Sequence, residues 1–576
     1  MAARAWKILP RPVMESVLNH TAMRDRIFAP LILVGPRGVG KTTLILERLL
    51  GDWNKGPHLT GYVDFARSIK DHHHPDHNQS FPWCSWSSFS APPISNLIND
   101  LENCLESMAY KAVRQGALSS QAILSTLNKR LNPQTALRHI IDETSEGLSP
   151  TNASTRWKVS TSLLWDQAVS ALSARSNAQE IDGLLELDKS GQAVSVEEAS
   201  CYREAVVSLR LAREVIKAHS GWRANAVANL NHTDGFSRSL AQSSADWPCL
   251  LLELLSGAVE VGHFQPKLVI NNIEVLRNAA LVDDSTVCGS QYHDILLLKM
   301  ISLCDEFNCL PIVLVTSDSY YSHQALLDFG SPKLFIICEN HGWTEQEATM
   351  HMHDYFTYSE WDVIARIIGS NPRHLFELYA LMQSNNNQAI VGHKGQTFEE
   401  ILDAYLAYLQ VTAVNPAMDK ALSLIQKFAQ DARNGKVVSE RLCFGAPWRH
   451  PPRTDDPGLS LEWARIQLMD CVQSLVNARF VLNYSADITM EFLEDPAAVS
   501  LIEVGMLYVL HKPYYIRPSS PAIKRCLVRW LIQERLKMGS WSYVQYLWQR
   551  FVRGRSYRHL ICLIDRKANR ELFRRP

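Results

Sequence analysis

The decisive stretch is Phe28–Leu50, which reads FAPLILV, GPRGVGKT, TLILERLL. Phe28–Val34 is a short apolar run with β-branched content, the signature of a strand buried on both faces of a parallel sheet. Gly35-Pro36-Arg37-Gly38-Val39-Gly40-Lys41-Thr42 fits the phosphate-loop pattern G-x-x-x-x-G-K-[ST]. Glycines at these positions let the backbone turn tightly and aim its N–H groups at phosphate oxygens. The helix that opens near Lys41 points its positive end the same way. Lys41 is then placed for the β- and γ-phosphates, and the Thr42 hydroxyl for Mg²⁺. The expected nucleotide-binding set is Gly35, Pro36, Arg37, Gly38, Val39, Gly40, Lys41, Thr42 and Thr43, with ATP and Mg²⁺ as cofactors. No Asn-Lys-x-Asp pattern marks a guanine pocket, so adenine is the default base.

Working outward, Thr60–Phe65 (TGYVDF), Lys267–Ile270 (KLVI), Pro311–Thr316 (PIVLVT) and Leu334–Ile337 read as further strands. Helices are expected at about 42–50, 248–260 and 291–306. This strand–helix alternation predicts an α/β P-loop NTPase core built on a parallel sheet. Between the second and third strands lies a long, mostly helical insertion. Its apolar stripes are Leu97, Ile98, Leu101, Leu105 and Met108, then Ala205, Leu209, Leu211, Ala212 and Val215. Residues 220–245 are polar and read as a loop. From 344 onward the chain looks helical, with Thr344 and Glu347 forming a capping-box pattern. Residues 418–434 and 460–477 read as helices, and Arg479–Tyr484 with Ile488–Leu493 as a hairpin. The expected organisation is a split core (1–66 and 246–340), an insertion (67–245), a helical lid (341–417), a winged-helix-like region (418–515) and a basic helical tail (516–576).

A P-loop enzyme needs acids at the end of a neighbouring strand, one in the Mg²⁺ shell and one to orient the attacking water. Here Asn271-Asn272 follows Leu268-Val269-Ile270. Asparagine carries no charge and cannot act as a general base. Hydrolysis should therefore be slow, and a glutamate at 272 would restore a water-orienting carboxylate. Glu274 is either a displaced carboxylate or a surface residue of the following helix. Ser317, after the fourth strand, and Arg373, in Gly369-Ser370-Asn371-Pro372-Arg373, are candidate γ-phosphate sensors, or else a strand-end turn and a surface arginine.

Together GPRGVGKTT, TGYVDF, KLVINNIEVL, PIVLVTSDS and GSNPRHL resemble the STAND branch of AAA-like P-loop ATPases, especially the archaeal-type ATPase group. In that group the second strand carries an hxDh-like pattern and a helical lid carries a Gly- and Asn/Pro-rich turn. The resemblance spans about 27–66 and 246–385, and the paired asparagines and the long insertion depart from it. It implies a nucleotide-dependent conformational switch that assembles with partners. A non-hydrolysing nucleotide-binding scaffold and a nucleic-acid-associated ATPase are the other readings.

The 576 residues imply two to four domains. With 58 basic and 59 acidic residues the net charge is −1, and 46% are hydrophobic, which excludes a disordered or strongly charged chain. The 12 cysteines form no CxxC pair, so a reduced intracellular setting is expected. No apolar run reaches the roughly 18 residues of a membrane span. Residues 1–14 hold Arg4, Lys7 and Arg11 and no acid before Glu15, a composition shared by mitochondrial presequences and ordinary cytoplasmic N-termini. His72-His73-His74-Pro75-Asp76-His77 is read as a solvated loop rather than a zinc tract. Residues 524–576 carry 14 Lys or Arg against 3 acids, interleaved with aromatics such as Trp530, Trp541, Tyr546 and Trp548. Such a tail can bind nucleic acid through phosphates and stacking, dock on an acidic protein or membrane surface, or present a solvated face over packed aromatics. The helical insertion is the expected docking surface for a protein partner.

Overall fold

The computed structural model describes residues 6–23, 29–67, 69–70, 83, 85–86, 89–144, 160–185, 195–234, 246–259, 264–280, 289–306, 310–322, 334–390, 397–437, 451–452, 456–477, 484–485, 495–511 and 514–552. The His72–His77 tract and the chain after Val552 lie outside them, as does nearly all of the hairpin expected at 479–493.

The phosphate-loop strand β1 (Leu31–Val34) sits inside a five-stranded sheet with β2 (His58–Asp64), β3 (Gln265–Asn271), β4 (Ile312–Thr316) and β5 (Ile336–Glu339). The order is β2-β3-β4-β1-β5 and every pair is parallel. All five β strands of the sequence reading are present, shifted by up to three residues at their ends. The register aligns Asp64 with Asn271, Asn271 with Val315, and Val34 with both Thr316 and Glu339. The polar residues at and just beyond the strand ends therefore meet along one carboxyl edge of the sheet, where α/β sheets hold their ligands.

One face of the sheet is covered by α1 (Pro12–Ala22) and by the helix after the phosphate loop, which starts as α2 (Lys41–Thr43) and continues with π geometry over Leu44–Leu49. Leu18, Ile45 and Trp53 pack there on Leu31, Leu33, Val269 and Val313. The other face is covered by the insertion and by two core helices. The insertion supplies α3 (Ile94–Arg114), α4 (Ser120–Arg130), α5 (Gln134–Thr144), α6 (Thr161–Arg175), α7 (Ala178–Leu184) and α8 (Val196–Asp234). The core supplies α9 (Trp247–Ala258) and α11 (Gly289–Glu306), with the short α10 (Glu274–Arg277) between. The expected stripes of α3 and α8 are buried, and they share one core with Ile32, Val63, Leu268, Ile270 and Leu314. The insertion is thus part of the sheet's own hydrophobic layer. Residues 220–234 are helical rather than loop. Gly221, Trp222 and Arg223 are exposed, with Trp222 edge-on to His139 and His219, so no apolar stripe betrays the helix.

The region expected as a helical lid begins with α12 (Glu345–Met352), capped by the expected Thr344–Glu347 box. It continues with α13 (Tyr358–Ile367), α14 (Pro372–Ile390) and α15 (Phe398–Leu409). A π segment, Gln410–Val414, joins α15 directly to α16 (Asn415–Arg433), so position 417/418 falls inside a continuous helical run. Beyond it come α17 (Pro457–Asn477), β6 (Tyr484–Ser485), α18 (Pro496–Glu503), β7 (Leu507–His511), β8 (Tyr514–Pro518), α19 (Pro521–Lys537) and α20 (Ser540–Val552). The described hairpin is β7–β8, in an antiparallel sheet of order β6-β8-β7. Lid and C-terminal region bury a single core, from Trp343 and Leu378 through Met418 to Trp530. Of the tail's aromatics Trp530 and Tyr546 are buried, while Trp541 is exposed. No described helix is long and apolar enough to cross a membrane.

Candidate nucleotide site

The loop after β1 adopts the shape its glycines permit. Gly38 has φ +80°, and a Cβ there would lie 2.7 Å from the Asn371 side-chain oxygen and 2.9 Å from the Trp83 ring. Gly40 has φ +88° and precedes α2 directly. Lys41 is buried, and its ammonium donates to the carbonyls of Gly35 (2.7 Å) and Pro36 (3.0 Å) and to the Ser317 hydroxyl (3.0 Å). Burial, and then the neighbouring Arg37, pull its pKa down to about 7. Ser317, expected as a sensor, is thus in direct contact with the loop lysine.

Around the loop opens a cleft of about 630 Å³, a size suited to a small ligand. Its lining includes six cations (Lys7, Arg11, Arg37, Lys41, Lys70, Arg373) and one carboxylate, Glu47. At its other end Trp6, Ile8, Leu9, Leu46, Trp343 and Phe376 form an apolar and aromatic wall. Trp6 lies among Trp343, Tyr355, Phe376 and Tyr379 with ring centroids 4.8–6.3 Å apart. Residues 6–11 thereby become part of the site, which composition alone did not indicate.

The Thr42 hydroxyl stands 3.5 Å from the Asn271 side-chain oxygen. Asn272 takes a left-handed φ of 55°, a conformation Asn tolerates better than most residues, and no other non-glycine residue described does so. Both ends of its amide are engaged. Its oxygen accepts from the Trp86 indole at 2.9 Å, and its nitrogen donates to Asp64 at 2.6 Å. Asp64 also pairs with Lys70. A glutamate at 272 would lose the donor to Asp64, bring a like charge against it and strain the backbone, so this position does not accept the carboxylate expected from the sequence. Asp64, at the end of β2, is the acid that the sequence reading left without a role at the site.

Glu274 is fully buried on α10, not on the surface. Neither of its oxygens finds a hydrogen bond of normal geometry. Burial, helped by nearby Asp318, raises its pKa to about 7, while Asp318 is itself raised to about 6, chiefly by burial.

Arg373 faces the cleft and is not a surface residue. Its guanidinium lies 4.3 Å from the Trp83 ring centroid and pairs with Glu377 at 2.8 Å. The start of α14 holds the phosphate loop through the loop's backbone: the Asn371 amide donates to the Arg37 carbonyl at 2.9 Å, and the Arg373 N–H to the Gly38 carbonyl at 3.2 Å. From the start of the insertion, Trp83 stacks on His374 at 3.8 Å and donates to Glu377, while Trp86 lies 4.9 Å from the Arg37 guanidinium. The Ser85 N–H donates to the Val504 carbonyl of the C-terminal region at 3.0 Å.

The donor set fits a nucleoside triphosphate: a strand, glycine loop and helix, a buried lysine, a cationic cleft and an apolar wall. For Mg²⁺ the oxygens at hand are the Thr42 hydroxyl and the neutral Asn271 amide. Among the described residues no group of three or more His, Cys, Asp or Glu could hold a metal by itself. The arrangement is that of an α/β P-loop NTPase core. No family model matches the chain, and no curated protein matches it. A solved structure, the Walker-type ATPase PABY2304 of Pyrococcus abyssi, is similar over 90% of this chain and 96% of its own, at 10% identity and a TM-score of 0.39.

Proposed function

We propose that the chain binds ATP·Mg²⁺ at this cleft and acts as a slowly hydrolysing, nucleotide-dependent switch of the STAND and AAA-like kind. The observation that carries the reading is Lys41, whose charge is held by the loop's own carbonyls and Ser317 at the mouth of a cationic cleft. Thr42 and Asn271 would hold Mg²⁺, which would supply Lewis-acid chemistry to the bound phosphates. The chain's own work is positioning. Lys41 would exchange its carbonyl partners for phosphate, and the Trp6–Leu9 segment with Trp343 and Phe376 would shield the base from water. Arg37 and Arg373 stand where loop and lid meet, so a change in phosphate number would be felt by both.

Slow turnover is supported by the site's chemistry. Asn271 attracts Mg²⁺ less than an aspartate, and both ends of the Asn272 amide are already engaged. Phosphate release assays on the purified protein should give a rate well below the enzyme median of about 10 per second. Asn271→Asp, which restores a charged oxygen beside Thr42, should raise it. A wild-type rate of tens per second would contradict the proposal.

A further inference from the structure

A second cleft, of about 600 Å³, lies behind the phosphate loop where the lid meets the C-terminal region. Its walls bring together Arg366 of α13, Arg517 of β8, Lys524 and Arg525 of α19, His341 and a single carboxylate, Glu345. Pro36 and Val39 of the phosphate loop close its inner side. Two of the arginines are partly compensated from outside the lining, Arg366 by Asp362 on its own helix and Arg517 by Glu339. Lys524 and Arg525 are neighbours in sequence, and the Arg525 guanidinium reaches the Arg366 carbonyl at 3.5 Å.

From this geometry we propose that the cleft binds a small ligand carrying two or more phosphate groups, distinct from the nucleotide of the phosphate loop. Like charges gathered in a recess repel one another, and a polyanion would turn that repulsion into attraction. Burial is the leading cause of the lowered pKa values of Arg517, Lys524 and His341; Arg525 adds to the shift of Lys524, while on His341 the push of Arg517 is opposed by Glu339, 3.9 Å away. The start of α19 adds the positive end of a 17-residue helix, although Pro521 carries no N–H and the Ile523 N–H is taken by the Ser520 hydroxyl. Because the cations come from both the lid and α19, a bound polyanion would tie these elements together against the back of the phosphate loop.

The test is a calorimetric titration of inorganic tripolyphosphate into the full-length chain at low ionic strength. Lys41→Ala should weaken binding at the phosphate loop and leave a second binding event. Adding Lys524→Ala and Arg525→Ala should weaken that remaining event at least tenfold. Glu345→Gln, which removes the one carboxylate of the lining, should tighten it severalfold, an effect that a folding defect would not mimic. Three results would overturn the proposal: no binding left in Lys41→Ala, a remaining event indifferent to the three substitutions, or capture of single-stranded oligonucleotide by these residues with no response to tripolyphosphate.

Discussion

At the scale of single residues, Lys41 carries the clearest pH signature. Its pKa is lowered to about 7 in the free protein, with burial the leading cause. Phosphate charge placed beside it would raise that value again, so above pH 7 binding must draw in a proton. ATP affinity should therefore fall as the pH rises above about 7. At pH 8, calorimetry in two buffers of different ionisation enthalpy should report uptake approaching one proton per ATP bound, and Lys41→Ala should abolish it. Glu274 has the opposite sense. Its folded pKa is raised to about 7, so its contribution to stability is complete below the ordinary carboxylate range and is lost as pH rises through 7. Glu274→Gln keeps the neutral shape, and should raise the melting temperature at pH 8 more than at pH 5. The gain at pH 8 is on the order of 2 kcal/mol.

At the scale of elements, the short segment carrying Trp83 and Trp86 joins four parts that lie far apart in sequence. Trp83 sits between Arg373 and His374 of α14 and crowds Gly38, while Trp86 holds Asn272. His374 passes the connection on, bonding Tyr405 of α15 at 2.7 Å and the Ser520 cap of α19 at 2.8 Å. Trp83→Ala should destabilise the protein by about 3 kcal/mol or more, as deletion of a buried aromatic does. Denaturant unfolding followed by circular dichroism measures it, and a loss below about 1 kcal/mol would show that the lid holds the loop without this ring. None of these links could be read from periodicity, since even the shortest, His374 to Tyr405, spans 31 residues, and Trp86 to Asn272 spans 186. What the sequence did carry was local. The parallel strands stand out because burial on both faces makes them continuous apolar runs, and the phosphate loop because its backbone tolerates so few residues. Between a displaced carboxylate and a surface residue, the sequence could not choose for Glu274, because a lone acid after a strand looks solvated until the packing around it is known; its burial removes the surface reading.

At the scale of the whole molecule, the chain is organised by shared hydrophobic layers more than by consecutive segments. The insertion shares its core with the sheet, and the lid shares its core with the C-terminal region. The nucleotide cleft lies where these layers meet, along the carboxyl edge of the sheet, with residues 6–11 closing one end. A ligand that contacts the phosphate loop and α14 together would couple these layers, which is what the proposed switch requires. The measurement that tests this most directly is ATP·Mg²⁺ binding by calorimetry on the full-length protein and on Lys41→Ala. Charge-assisted contacts of this kind contribute roughly 1.5–3 kcal/mol. The account predicts saturable binding by the wild type and at least a tenfold loss in the variant. Equal affinity of the two, or no binding by either, would contradict it.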